Sequence, residues 1–324
     1  MVEQKQNLIN HLLKQTKKGN VDNISRTIFY ENFYTEHPEI RWALLAGMVS
    51  RNAGWNMTDL ESKWFQQLVE KTERAVIFST YERANWLIFA DAYPQLVLYE
   101  YSKKRGKPYF HLLSEIGVSK FMEYEWRMFW EKRDEIRLCT AQIINEQYVI
   151  QKPVIENTFY QTKVFNTVGY FLEEHAHFSY VLFPTRRGEL YGYYVRKFRD
   201  VSKRIWLGKK LAALLFNPTL FEQFIDFHKK VEPTGSRNDY ARFLNWKTKN
   251  TSPMLRLTLP IFEHDHYLSE DWLIHAKGNL KHLFNPIECD IPNERTEWLR
   301  LKQLELYYSV KVKAWLSMKK TTSK

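Results

Sequence analysis

Glu173 and His177 stand four residues apart, a spacing that on a helix turns both side chains to one face, as two metal ligands or an acid-base pair require. A second concentration, Glu263, His264, Asp265 and His266, falls in an expected loop. Brought together by the fold, Glu173, His177, His264 and His266 would hold a divalent ion and support metal-dependent hydrolysis. The plain alternative is two solvated polar segments on unrelated surfaces. Neither run matches HExxH, and His175-Ala-His177 lacks the downstream acid and histidine of a metallo-β-lactamase motif. The chain carries no GxGxxG, GxxxxGK[ST], GxSxG or EF-hand loop either, so the common nucleotide-binding and hydrolase classes lose support, and no cofactor is legible.

The stretch from Thr185 to Lys210 points to different chemistry. Nine basic residues, among them Arg186, Arg187, Arg196, Lys197, Arg199, Lys203 and Arg204, face only Glu189 and Asp200, and Tyr191, Tyr193, Tyr194, Phe198 and Trp206 are interleaved with them. If residues 194–205 are helical, the aromatic and apolar residues form one stripe and the cations occupy the other faces. Guanidinium and ammonium groups neutralise phosphates and aromatic planes stack on unpaired bases, so this is the candidate anion-binding surface. An anionic lipid surface is the alternative partner, and a core stripe with a solvated basic face is the structural one.

The most distinctive segment runs from His37 to Asp59. Residues 40–49 are apolar nearly all round, as in a buried helix. Gly54 is placed to stop that helix, and Thr58 to Glu61 has capping-box spacing for a new one, so the expectation is a helix, a tight turn and a restart. Ser50, Arg51 and Asn52 then sit at the rim of a core, where an unpaired charge costs several kcal/mol. Their partners are either internal, with Glu39, Asp59 and Glu61 at hand, or a ligand. In the second case Arg26, His37, Arg51, Asn52 and Asp59 form the polar wall of a pocket with Trp42 and Trp55 as its aromatic sides.

The Ser50-Arg-Asn-Ala-Gly-Trp-Asn-Met-Thr-Asp-Leu60 run, with Ser25, Arg26, Thr27, Tyr30 and Phe33 ahead of it, resembles the YppC-like family of uncharacterised proteins from spore-forming Gram-positive bacteria. The resemblance covers most of the chain. It implies a cytoplasmic bacterial protein with a domain of unknown function, and no activity, cofactor or catalytic residue.

The elements that must position these residues are mostly helices. Leu8, Ile9, Leu12 and Leu13 recur at helical spacing among lysines, Asp22 or Asn23 can cap a second helix, and Pro38 suits the first turn of a third. The pattern predicts an all-α stack as far as Gln151. Beyond Pro153, residues 178–183 and 190–195 are β-prone runs joined by Pro184 to Gly188, a hairpin signal, and the alternating Leu255, Leu257 and Leu259 suggest one more extended segment. Helical pattern returns at 205–230 and 295–318. The expected architecture is a mainly α single domain over residues 1–324 with a small β-hairpin element in the second half, subdivided weakly, if at all, into 1–152 and 153–324.

Composition bounds the rest. The 324 residues are 44% hydrophobic and carry a formal net charge of +11, enough to favour encounters with nucleic acid, anionic lipid or an acidic protein. Two distant cysteines, Cys139 and Cys289, encode no disulfide framework and fit a reducing compartment. The opening residues lack the apolar core of a signal peptide and no run approaches a membrane span, so the expected location is cytoplasmic. The function these features favour is non-enzymatic binding of an anionic partner, nucleic acid first, with a metal-dependent hydrolase or a membrane-peripheral protein as alternatives. Oligomeric state is not encoded legibly.

Overall fold

The computed structural model describes residues 2–165, 180–195, 197–246, 252–265, 270–276, 280–287, 294–305, 307, 308 and 311. It is mainly α. Helix α1 spans Val2–Gly19, α2 Asn23–Glu36, α3 Arg41–Asp59, α4 Lys63–Leu68, α5 Lys71–Arg105, α6 Lys120–Lys132 and α7 Glu135–Val149. The hairpin strands β1 (Tyr180–Pro184) and β2 (Leu190–Tyr194) follow, then α8 (Val201–Leu215) and α9 (Phe221–Lys230). Among the described residues no helix is long and apolar enough to cross a membrane.

Local chemistry explains the helix starts. Asp22 caps α2 by accepting from the Ser25 amide at 2.7 Å, and Ser119, Asp134 and Asp200 do the same for α6, α7 and α8. At 35 residues, α5 reaches about 52 Å along its axis. It ends where Gly106 takes a left-handed φ of 67°, with Lys103, Lys104 and Arg105 against the negative end of the helix dipole. Between α5, α6 and α7 the buried Gln95 carbonyl accepts from Trp126 Nε1 (2.8 Å) and Gln142 Nε2 (3.0 Å), which ties three helices through one satisfied amide.

Helix α3 is the centre of the packing. Trp42 to Met48 belong to the largest core cluster, which extends from Leu8 to Leu283; Met57 enters a second with Ile77 and Phe78; Trp55 enters a third with Leu182, Phe227 and Tyr240. The helix does not stop at Gly54, as its sequence suggests, but continues to Asp59. Gly54 packs on the Gly235 backbone instead: a Cβ there would lie 3.4 Å from the Gly235 Cα, close to ordinary van der Waals contact. Nor does Thr58 open a capping box, because its hydroxyl lies 2.7 Å from the Gly235 carbonyl and 2.9 Å from Ser252 Oγ, and Ser62 caps α4 instead. Pro38 sits in the turn before α3 rather than in its first turn.

The strands pair antiparallel from Tyr180↔Tyr194 to Pro184↔Leu190. Residues 178 and 179 of the expected first strand lie outside the described residues. The edge of β1 that faces away from β2 is completed by α3. The Asn52 carboxamide accepts from the Leu182 amide and donates to the Leu182 carbonyl, both at 2.7 Å, and Asn56 Nδ2 reaches the Tyr180 carbonyl at 3.4 Å. One helical turn thus presents two amides to alternate residues of a strand, in place of a third strand. The β2 edge is met by residues 294–296, with the Arg295 amide donating to the Leu190 carbonyl at 2.6 Å.

Two further expectations are corrected. Residues 255–258 form one helical turn, with Leu255 buried and Leu257 81% exposed, so the leucine alternation does not mark a strand. Residues 194–205 are not one helix: β2 ends at Tyr194 and α8 begins only after Asp200.

Because Asn52 pairs with both peptide groups of buried Leu182, Asn52→Ala is expected to cost about 3 kcal/mol in urea unfolding, the penalty of two unpaired buried groups. A cost under about 1 kcal/mol would show that another group completes the strand edge.

Candidate functional site

The seven polar and aromatic residues read from the α2–α3 region do not form one wall. Arg51, Trp55, Asn56 and Asp59 lie along the face of α3 that meets residues 232–240. Arg51 Nη2 donates to the Glu232 carbonyl (3.1 Å) and to Asp239 Oδ2 (3.3 Å), and Trp55 Nε1 donates to the same oxygen at 3.0 Å. Thr234 supplies further donors to Asp239, its hydroxyl at 2.5 Å. Asp59 accepts from Arg237 Nε at 2.5 Å, while Arg237 also reaches Asn56 Oδ1 and the Tyr240 hydroxyl. The Arg51 guanidinium lies 4.9 Å over the Phe227 ring, and burial lowers its pKa against the pull of Asp239. Arg51 therefore has an internal partner that sits 188 residues away in sequence.

Arg26 faces α5, where Glu82 takes a two-pronged pair from it and Asn20 and Asn23 occupy its remaining donors. His37 sits at the C-terminal end of α2 against Phe33 and Tyr99, with burial and then Lys103 lowering its pKa. Trp42 Nε1 donates to Glu146 Oε2 at 3.1 Å.

Of the metal candidates, Glu173, His177 and His266 lie outside the described residues. His264 is placed against the buried Arg26–Glu82 pair, with Nε2 3.7 Å from Glu82 Oε1 and its ring 5.1 Å from that of Trp86. Among the described residues no group of three or more His, Cys, Asp or Glu side chains is positioned to hold a metal ion.

The anion-binding candidates separate. Arg204 is buried: its guanidinium donates to the Gln147 side chain and carbonyl, the Phe198 carbonyl and Gln151 Oε1. Arg186 pairs with Asp226 at 3.0 Å. Arg187, Lys197, Arg199 and Lys203 are exposed, and Arg196 lies outside the described residues. Further along α8 the helix borders a groove of about 540 Å³ shared with residues 282–287. Trp206, 48% exposed, stands in it with the Lys210 ammonium 4.2 Å over its ring, and Lys209 crosses to the Leu283 and Asn285 carbonyls. His282 completes the basic lining.

A separate cavity of about 200 Å³ lies among α2, α3, α5, α7, β1 and α8. Most of its wall is apolar, with Leu45, Val49, Ile88, Ile150, Val181 and Leu211; Glu146, Gln147, Asn85, Ser50, Arg26 and Arg204 are among its polar lining, and the ring of Tyr30 borders it while the hydroxyl is buried without a partner among the described residues. Glu146 keeps part of its surface accessible although it sits deep inside, because that surface faces the cavity. Burial pushes its carboxyl up to about 7 against hydrogen bonds from Gln147 and Trp42 and the more distant charge of Arg204. Sequence reasoning did not single out Glu146, since a Glu-Gln pair late in a helix reads as solvated surface, and Tyr30 entered only through the family resemblance. Of the expected pocket residues only Arg26 lines this cavity.

A family described as Protein of unknown function (DUF2515) matches residues 18–307. The chain is 46% identical over 310 residues to the Uncharacterized protein YppC of Bacillus subtilis (strain 168), covering 95% of this chain and 96% of that protein. No solved structure matches.

Glu146 makes stability depend on pH with a definite sign. The folded carboxyl keeps its proton to about 7 and the unfolded one only to its ordinary 4.5, so between those values the folded chain binds more protons. The stabilisation is complete below the lower value and is lost as pH rises through the upper one. The unfolding free energy of the wild type minus that of Glu146→Gln is expected to fall across this window by up to about 3 kcal/mol, at about 1.4 kcal/mol per pKa unit. A pH-independent difference would mean that Glu146 is ionised throughout.

Proposed function

The chain belongs to this family, whose function is unknown, and on that premise we propose that it is a non-enzymatic binding protein for an anionic partner, a single-stranded nucleic acid held in the groove beside α8. One observation carries the reading: a half-exposed Trp206 is presented in a groove lined by Lys209, Lys210 and His282, with exposed Lys203 on the preceding turn. An indole face stacks on any base, at about 1 to 3 kcal/mol per base, and the exposed Lys203 ammonium on the preceding turn meets a phosphate. The net charge of +11 raises the encounter rate with such a partner. Arg204 takes no part, since its guanidinium is engaged internally. We read the chain as one domain, since its largest core cluster takes residues from both sides of position 152. A cytoplasmic location fits the scarcity of cysteine and the burial of Cys139.

Fluorescence anisotropy with a short labelled oligothymidylate at low salt tests the proposal. Binding is expected to weaken as salt rises, and Trp206→Ala, at an exposed position, to weaken it roughly tenfold. Absence of low-salt binding, indifference to Trp206→Ala, or flotation with anionic vesicles in place of oligonucleotide binding would each overturn it.

A further inference from the structure

The cavity beside Glu146 is independent of the α8 groove, and its chemistry selects a ligand. We infer that it is a binding site for a small organic cation, an amine with a compact apolar body, whose ammonium is held by the Glu146 carboxylate. The volume, about 200 Å³, exceeds the roughly 150 Å³ of an engineered apolar cavity that admits benzene, so a single ring with a short polar arm fits. The apolar wall accounts for the body of such a molecule, and Glu146 accounts for its head.

Glu146 lacks the cationic partner that a buried carboxylate demands. It accepts from Trp42 Nε1 and Gln147 Nε2, both neutral donors, and forms no ion pair among the described residues.

The charged neighbours argue for a cation rather than an anion. On α2, Arg26 is committed to Glu82 of α5 and to Asn20 and Asn23. On α8, Arg204 is committed to Gln147, Gln151 and the Phe198 carbonyl. On α7 itself Cys139 is buried with its thiol pushed up to about 12, so it adds no charge near neutrality, and burial pushes the Asp91 carboxyl of α5 up to about 7. An entering carboxylate would meet guanidinium groups already paired and a carboxyl in its way. An entering ammonium finds a carboxylate whose ionisation it favours, and desolvation at the site strengthens the pair.

The inference fixes a pH dependence. Ammonium binding needs Glu146 ionised, so affinity is expected to rise with pH through about 7, the range in which the empty site gives up its proton, and to level off above it.

Isothermal titration calorimetry of the full chain with benzylamine, benzyl alcohol and benzoate separates the possibilities. Benzylamine is expected to bind best and benzoate not at all. Glu146→Gln, which preserves shape and one of the two accepted hydrogen bonds, should lose benzylamine affinity by roughly tenfold or more while leaving benzyl alcohol unchanged. Ala53→Phe, which fills the cavity from α3, should abolish all binding. Circular dichroism confirms that each variant is folded. The proposal falls if benzoate binds as well as benzylamine, if Glu146→Gln leaves benzylamine affinity unchanged, or if none of the three probes binds.

Discussion

Helix α3 is buried on nearly every side, yet it carries Arg51, Asn52, Trp55, Asn56, Thr58 and Asp59, and each of these polar groups must find a partner away from water. The partners come from parts of the chain that fold back from far along the sequence. Asn52 and Asn56 complete the open edge of β1, Arg51 and Trp55 share Asp239, Asp59 takes Arg237, and Thr58 meets Gly235 and Ser252. The hairpin and the 232–240 segment are thereby held to one helix by directional contacts, while apolar burial holds the rest.

Much of the frame was legible in the sequence because its causes are local. The Asp22 cap, the apolar girdle of α3 and the β-prone runs around Pro184 to Gly188 each depend on residues within a few positions of one another. The misreadings have a common physical source. Gly54 looked like a helix stop because a glycine in a helix costs about 1 kcal/mol, but the contacts of α3 with distant segments carry the helix through it. Thr58 to Glu61 had the spacing of a capping box, but the hydroxyl had a stronger claim from a distant carbonyl. Leu255, Leu257 and Leu259 alternate as a strand would, yet one short turn buries Leu255 and exposes Leu257 just as well. The pairing of Arg51 with Asp239 could not be read at all, because no local pattern links positions so far apart.

Charge along the chain was similarly informative in sum and ambiguous in detail. Nine cations between 185 and 210 signalled a basic region, but Arg204 turns inward to Gln147 and Gln151, and the aromatic residue offered to solvent, Trp206, lies near its end. The site on the groove and the site in the cavity use different faces of α8: Trp206 and Lys210 look outward, while Leu207, Gly208 and Leu211 close the cavity.

The central claim, that α3 holds the hairpin and the 232–240 segment to the core, is tested most directly by native-state hydrogen exchange read by mass spectrometry. Amides of residues 48–58, 180–184 and 234–240 are expected to lose protection together, at one opening free energy close to that of α5 and α7. Exchange of the hairpin and the 234–240 amides at a markedly lower free energy, with α3 still protected, would contradict it.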